Sequence, residues 1–87
     1  MRHELKILPD FYERVISGEK TFEIRECRDR CFQVGDTVTL KEYGKAGWSF
    51  ARYTGREVEK VITYVTNYQQ KEWFVVFGIA DLPAEGD

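Results

Sequence analysis

Alternation of apolar and polar residues dominates this chain, and helical spacing is confined to one short segment. Residues 11–17 place Phe11, Tyr12, Val15 and Ile16 at helical spacing, which predicts a helix of about two turns. Strands are predicted over residues 3–8, 21–25, 37–43, 50–53, 56–64 and 73–79. Because so short a helix is not stable in isolation, it must pack on the sheet. The expected fold is a small α+β domain dominated by a curled sheet.

The boundaries of the predicted helix rest on local signals. Pro9 is expected to end the first strand, and Asp10 stands at the position of an N-cap, with Glu13 three residues later. Gly18 is a natural C-terminal stop. These signals place a single helix near the N-terminus, directly before the second strand.

Two details of the sheet follow from turn and apolar patterns. Thr54 and Gly55 predict a hairpin turn between two short strands, and the apolar run 73–79 favours a buried central strand. Five aromatic residues are predicted to lie in the core: Phe22, Phe32, Trp73, Phe74 and Phe77. Closure of five or six strands into a barrel would protect the sheet edges. Residues 1–82 are expected to form one domain, and residues 83–87 a flexible acidic tail.

Charge limits the classes of partner. The net charge of the 87 residues is −2, but Asp81, Glu85 and Asp87 are acidic with no base among them, so residues 1–80 carry +1. This balance argues against bulk electrostatic binding of duplex DNA, which needs several unopposed Lys and Arg residues. No apolar segment approaches the ~20 residues of a membrane span, and no secretion signal is evident. We therefore expect a cytoplasmic protein without a membrane partner.

Cysteine and histidine are too few for a structural metal site. Cys27 and Cys31 are four residues apart, and His3 is the one histidine. A structural zinc site generally uses four such ligands, so one chain cannot complete it. Free thiols are the expected state, with a disulfide or an intermolecular metal site as alternatives. No resident metal or cofactor is predicted.

The segment 18–25 combines charged residues at a spacing suited to binding. Glu23 and Arg25 are two residues apart on a predicted strand and share a face, while Lys20 follows a glycine that permits a sharp turn. If this face lies in a cleft, an ammonium, a carboxylate and a guanidinium would together recognise a polar ligand. The same spacing also occurs on a solvent-exposed strand face with interleaved charges.

A resemblance to a known superfamily gives this segment further meaning. The pattern G-x-K-x-x-E-x-R, present as Gly18, Lys20, Glu23 and Arg25, is similar to the signature of the ASCH superfamily of PUA-like β-barrel domains. Further blocks resemble a small bacterial and phage branch of unknown function: residues 3–7, 29–36, 53–57 and 75–79. The resemblance extends over residues 3–80, and neither cysteine is a position of the G-x-K-x-x-E-x-R motif.

The resemblance implies a five- or six-stranded barrel with a cleft beside the first helix that receives RNA or a nucleoside. Lys20, Glu23 and Arg25 would face the ligand, Gly18 would shape the turn, and Thr21 lies beside them. Trp48, in a glycine-flanked loop, is either a loop anchor or a platform on which a base stacks. RNA or nucleoside binding is therefore the first functional prediction.

Two alternative functions are also compatible with the sequence. One small bacterial group of the superfamily resembles this chain in size and hydrolyses the acetyl amide of acetylcytidine. It uses a motif Lys, a Thr three residues later and a distant Glu. Lys20 matches that Lys, but the Thr position is Glu23, and Glu57, Glu59 and Glu72 are unassigned. In an enzyme acting on a modified nucleoside or on RNA, Lys20 would activate water or a hydroxyl, Glu23 would be the general base, and Arg25 would stabilise negative charge. The other alternative is an interaction protein of phage or mobile-element origin whose charged residues are structural.

Overall fold

The computed structural model describes residues 1–83 and contains one mixed five-stranded sheet with one short helix. The elements are β1 (Arg2–Ile7), α1 (Pro9–Ser17), β2 (Phe22–Glu26), β3 (Thr37–Gly44), β4 (Arg52–Thr66) and β5 (Phe74–Ala80). The strand order is β1-β3-β4-β5-β2, with β1 parallel to β3 and the other pairs antiparallel. The sheet curls into a half-barrel, so the α+β prediction is confirmed. Residues 84–87, most of the predicted acidic tail, lie outside the described residues.

The helix begins one residue earlier than the predicted N-cap. Leu8 is the N-cap, Pro9 is the first helical residue, and Asp10 lies in the first turn, so the prediction of Asp10 as N-cap is wrong. Proline suits this position because its fixed φ is helical and it has no N–H to leave unpaired. Asp10 still interacts favourably there with the positive end of the helix dipole.

Ten buried apolar residues from the helix and the strands form the core. They are Leu5, Ile7, Tyr12, Val15, Phe32, Val38, Leu40, Ile62, Phe77 and Ile79. Phe77 is fully buried on β5, an internal strand, which confirms the predicted central strand. The prediction that Phe22 and Trp73 are core residues is wrong, because their exposed fractions are 43% and 48%. Phe22 nevertheless begins β2, and Trp73 directly precedes β5. The apolar pattern therefore predicted where the strands are, but not which of their faces is buried.

The predicted hairpin turn at Thr54 and Gly55 is absent, because β4 continues through both residues. Gly55 has a φ of +95°, and the β3–β4 register shifts between Lys41 and Tyr43. This irregularity is a bulge, which bends a strand without ending it. It leaves Glu42 of β3 opposite the irregular part of β4.

The bulge surrounds a buried carboxylate. The Glu42 side chain is 1% exposed, and its Oε1 accepts hydrogen bonds from Thr54 Oγ1 at 2.6 Å and Arg56 Nε at 3.0 Å. Arg56 Nη2 donates to Oε2 at 2.9 Å, and it also contacts Glu13 of α1. These hydrogen bonds, that of Arg56 foremost, lower the pKa of Glu42. The ion pair therefore ties the helix to β3 and β4.

A second buried carboxylate, that of Asp36, anchors the beginning of β1. His3 Nε2 donates to Asp36 Oδ2 at 2.9 Å, and the amino group of Met1 donates to Oδ1 at 3.0 Å. Gln33 N–H also donates to Oδ2, at 3.1 Å. The hydrogen bond from His3 is the largest cause that lowers the pKa of Asp36 to about 2, and the Met1 amino group adds to it. Asp36 thus connects the first strand to the turn before β3.

One glycine controls how closely the helix approaches the sheet. A Cβ atom on Gly44, at the end of β3, would lie 2.5 Å from Cδ of Pro9. Because both groups belong to rigid segments, the absence of a side chain permits this contact. The contact holds the start of α1 against the end of β3.

Candidate functional site

A cleft of about 460 Å³ separates the two outer strands of the sheet. Its walls come from the end of β1, the start of α1 and the segment leading into β2. The lining residues are Lys6, Ile7, Leu8, Phe11, Lys20, Phe22, Glu23, Ile24 and Arg25. Three of the predicted site residues, Lys20, Glu23 and Arg25, are therefore together in one cleft.

The turn after α1 positions Lys20. Gly18 has a φ of +85°, a left-handed conformation that ends the helix, and its N–H donates to Val15 O at 3.2 Å. Lys20 N–H then donates to Arg14 O at 3.0 Å, which holds the backbone of Lys20 against the last helical turn. Gly18 therefore shapes the turn that leads to Lys20, as predicted, and its own atoms do not line the cleft.

Glu23 is the centre of a compact ionic cluster. Its side chain is 4% exposed, and both carboxylate oxygens accept hydrogen bonds from cations. Lys20 Nζ contacts Oε2, whereas Arg25 approaches Oε1 with Nε at 2.9 Å and Nη2 at 2.8 Å. Lys20 Nζ also donates to Phe22 O at 2.8 Å. The interpretation of an exposed strand face is therefore wrong for Glu23, which is buried between the two cations.

The hydrogen bonds flanking β2 show which backbone groups of this strand face the cleft. Ile79 N–H donates to Thr21 O at 2.9 Å, and Cys27 N–H donates to Trp73 O at 2.7 Å. Along an antiparallel strand, hydrogen-bonded residue pairs alternate with non-hydrogen-bonded pairs. The backbone N–H and C=O groups of the odd-numbered residues of β2 therefore bond to β5. The N–H and C=O of Ile24 consequently point to the open edge of the strand.

The edge of β1 has the same property. Thr37 N–H donates to Met1 O at 3.0 Å. Given the parallel register, the backbone N–H and C=O groups of the odd-numbered residues of β1 therefore bond to β3. The N–H and C=O of Lys6 point the other way. Within residues 1–83, β1 pairs with β3 alone and β2 with β5 alone. Two open strand edges, at Lys6 and Ile24, therefore border the cleft.

Two exposed phenylalanine rings flank Lys20 in the cleft wall. Phe11 of α1 is 47% exposed and Phe22 of β2 is 43% exposed. The Lys20 Nζ lies 5.6 Å from the centroid of Phe11 and 5.1 Å from that of Phe22. These distances are within the range of cation–π attraction, which helps to fix the ammonium between the rings. The cleft thus has aromatic walls around a charged cluster.

Other predicted residues lie outside this cleft. Thr21 is exposed and bonds to β5 through its carbonyl, and it is not in the lining. Trp48 lies in the loop after β3, with the Arg52 guanidinium 3.5 Å from the centroid of its ring. Trp48 therefore stacks on Arg52 in the loop and is not among the residues that line the cleft. The unassigned acidic residues Glu57, Glu59 and Glu72 do not line the cleft either.

Sequence reasoning missed several lining residues, mainly Lys6, Leu8, Phe11 and Ile24. The helical spacing places Phe11 on the apolar face of the helix, and nothing in that spacing distinguishes a buried position from a cleft wall. One feature of the sequence does predict that Lys6 is accessible. It alternates with the apolar Leu5 and Ile7, which places it on the polar face of β1. Its proximity to β2 depends on the sheet topology, which the pattern does not encode.

The structure also reports on metal sites and membrane spans. Within residues 1–83, no group of three His, Cys, Asp or Glu side chains is arranged to hold a metal ion. Cys27 is half-buried and Cys31 exposed, and neither forms a disulfide in the described part of the chain. Over the same residues, no helix has the length and apolar character needed to cross a bilayer.

Comparison with known proteins identifies a family without assigning an activity. No curated protein matches the chain. The family model described as Domain of unknown function (DUF3850) matches residues 2–79, nearly the whole chain. The chain therefore belongs to the DUF3850 family.

Proposed function

We propose that this protein is a PUA-like module, related to the ASCH superfamily, that binds one nucleotide of single-stranded RNA or a free nucleoside in the cleft. The observation that carries the proposal is the Lys20–Glu23–Arg25 cluster between two exposed phenylalanine rings. Bases combine a flat apolar face with a polar edge, and this cleft offers a surface for each.

The aromatic walls suit the flat face of a base. Single-stranded nucleic acids are commonly bound by stacking bases on exposed aromatic side chains, and each stack is worth about 1–3 kcal/mol. Phe11 and Phe22 are close to half exposed although they are large and apolar. A stacked base would cover part of this apolar surface and so stabilise the complex.

The charged cluster suits the polar edge or a phosphate. Because Glu23 holds Lys20 and Arg25 in place, a ligand meets donors whose geometry is already fixed. Both cations retain partial exposure, 17% for the Lys20 side chain and 23% for Arg25. The open edge at Ile24 adds a backbone donor and acceptor beside them.

The hydrolase alternative has less support. Thr21, the nearby hydroxyl, does not line the cleft. Both oxygens of Glu23 already accept hydrogen bonds from cations, which makes the carboxylate a poor general base. Binding is therefore the function that the geometry supports best.

Titration of nucleosides and short single-stranded RNA, followed by the amide NMR signals of Ile24 and Lys6, tests the proposal. We expect saturable shifts at these residues and a log–log salt slope of only about −1 to −3, because few phosphates are neutralised. Lys20→Gln should weaken binding about tenfold, whereas Lys71→Gln, which removes a positive charge from the β4–β5 loop, outside the cleft lining, should not. Absence of binding to every nucleoside and single strand would overturn the proposal, and release of acetate from acetylcytidine would favour the enzyme.

A further inference from the structure

A second depression, which we name the basic groove, adjoins the cleft on the outer side of β1. It has a volume of about 410 Å³ and is lined by Glu4, Leu5, Lys6, Arg30, Lys41 and Tyr53. Lys6 lines both the basic groove and the cleft. The two depressions are therefore neighbours with one shared wall.

Arg30 reaches the basic groove from a distant part of the sequence. It belongs to the loop between β2 and β3, and its Nη1 donates to Glu4 O at 3.4 Å. Glu4, like Lys6, is an even-numbered residue of β1, so its carbonyl points to the open edge of that strand. Arg30 thus places a guanidinium beside the same strand edge that borders the cleft.

The basic groove has an excess of positive charge. Glu4 is the acidic residue in the lining, and it is paired with Lys41, whose Nζ lies 3.2 Å from Glu4 Oε1. Across residues 1–83, no carboxylate lies within 4.0 Å of Lys6 or Arg30. Two cations of the groove are therefore available to an anionic ligand.

Aromatic contacts fix the shared lysine. Lys6 Nζ lies 4.4 Å from the centroid of Tyr43 and 5.7 Å from that of Tyr53, and the two rings meet edge-to-face at 4.9 Å. Tyr53 is 51% exposed, so part of its surface remains open to a ligand. The groove therefore combines available cations with an exposed aromatic ring.

We propose that the basic groove binds the phosphodiester and the adjacent base of a single-stranded oligonucleotide whose neighbouring nucleotide occupies the cleft. This inference rests on the proposed function and specifies its ligand as an oligonucleotide. Lys6 and Arg30 would neutralise phosphate, and Tyr53 would stack on the adjacent base. The positive charge and the shared wall at Lys6 together favour an anionic chain that continues from one depression into the other.

Calorimetric titration of nucleoside monophosphates, dinucleotides and trinucleotides at low salt tests this inference, in both ribose and deoxyribose series. We expect about tenfold tighter binding of the dinucleotide than of the monophosphate, since the second nucleotide adds one stack and one phosphate contact. Tyr53→Ala and Arg30→Gln should remove most of this gain and leave monophosphate affinity unchanged. Lys71→Gln is the charge-matched control, and it should preserve the gain.

The outcomes separate this inference from the proposed function. If monophosphates bind but length adds no affinity, or if Lys71→Gln lowers the gain as much as Arg30→Gln does, the basic groove is not a nucleotide site and the cleft proposal stands. If nucleosides, monophosphates and oligonucleotides all fail to bind, both proposals fail. A gain confined to the ribose series would identify the ligand as RNA, and an equal gain in both series would support binding of single strands of either kind.

Discussion

Arg25 holds Glu23 from two positions along β2, with Nη2 2.8 Å from Oε1 of a carboxylate that is only 4% exposed. Side chains two residues apart on a strand share a face, so β2 itself brings this pair together. Lys20 completes the neutralisation from the turn before the strand. The cluster therefore has a structural role whether or not a ligand is bound, and variants must separate the two roles.

Glu23→Gln should destabilise the fold by about 2 kcal/mol, because two partly buried cations lose their common counterion. Urea denaturation measures this change. Glu19→Gln is the matched control, since Glu19 pairs with Arg14 on the surface with both side chains more than half exposed. Exposed pairs contribute at most about 1 kcal/mol, so the control should be close to wild type. Equal effects of the two substitutions would show that burial of Glu23 contributes nothing.

The charged segment was predictable from sequence because its geometry is local. A period of two is enough to pair Glu23 with Arg25, and a glycine before Lys20 is enough to indicate the turn. The buried face was not predictable in the same way. Phe22 and Ile24 are the apolar residues of β2, yet their exposed fractions are 43% and 52%, while the acidic Glu23 is buried. The register with β5 sets this inversion, because it places Glu23 beside the fully buried Phe77 and Phe22 beside Gly78, and that register is a long-range pairing.

Gly55 shows the same limit for turns. A Thr-Gly pair between two β-forming segments predicts a hairpin, but the positive φ of glycine serves equally well in a bulge. What distinguishes the two is Glu42, 13 residues earlier on β3, whose buried carboxylate accepts hydrogen bonds from Thr54 and Arg56. No local pattern contains that partner.

Phe11→Ala and Phe22→Ala should each weaken nucleotide binding about tenfold or more, because one stacking surface is lost. Because each ring is a little over half buried, the free energy of unfolding should fall by about 1–2 kcal/mol, less than the cost of truncating a fully buried Phe. Calorimetric titration with a nucleoside monophosphate gives the affinity. Tyr68→Ala, which removes a ring that is 75% exposed and outside the cleft, should bind normally. Unchanged affinity in both Phe variants would contradict stacking in the cleft.

Stability should fall in acid as Asp36 is protonated. Its pKa is lowered from 3.8 to about 2, chiefly by the hydrogen bond from His3, so folding favours the charged form. The stabilisation is complete above the unfolded pKa and declines as the pH falls from about 4 to about 2, by on the order of 2 kcal/mol. Denaturation of wild type and Asp36→Asn across this range measures it. The difference in stability between the two proteins should shrink toward pH 2; a constant difference would contradict the assignment.

Arg56→Ala should destabilise the fold clearly more than removal of an exposed partner does, because it leaves the buried Glu42 carboxylate with Thr54 as its remaining side-chain partner. Glu13→Ala removes the exposed partner of the same Arg56 and should cost no more than about 1 kcal/mol. Combining Arg56→Ala with Glu42→Gln tests the cause, since the double variant no longer buries an unpaired charge. Urea denaturation should therefore show the double variant to be more stable than the sum of the single effects predicts. If the two single effects add strictly, Arg56 does not stabilise the fold through Glu42. Its contribution would then come from packing over the Tyr12 ring, whose centroid lies 4.9 Å from Arg56 Cζ.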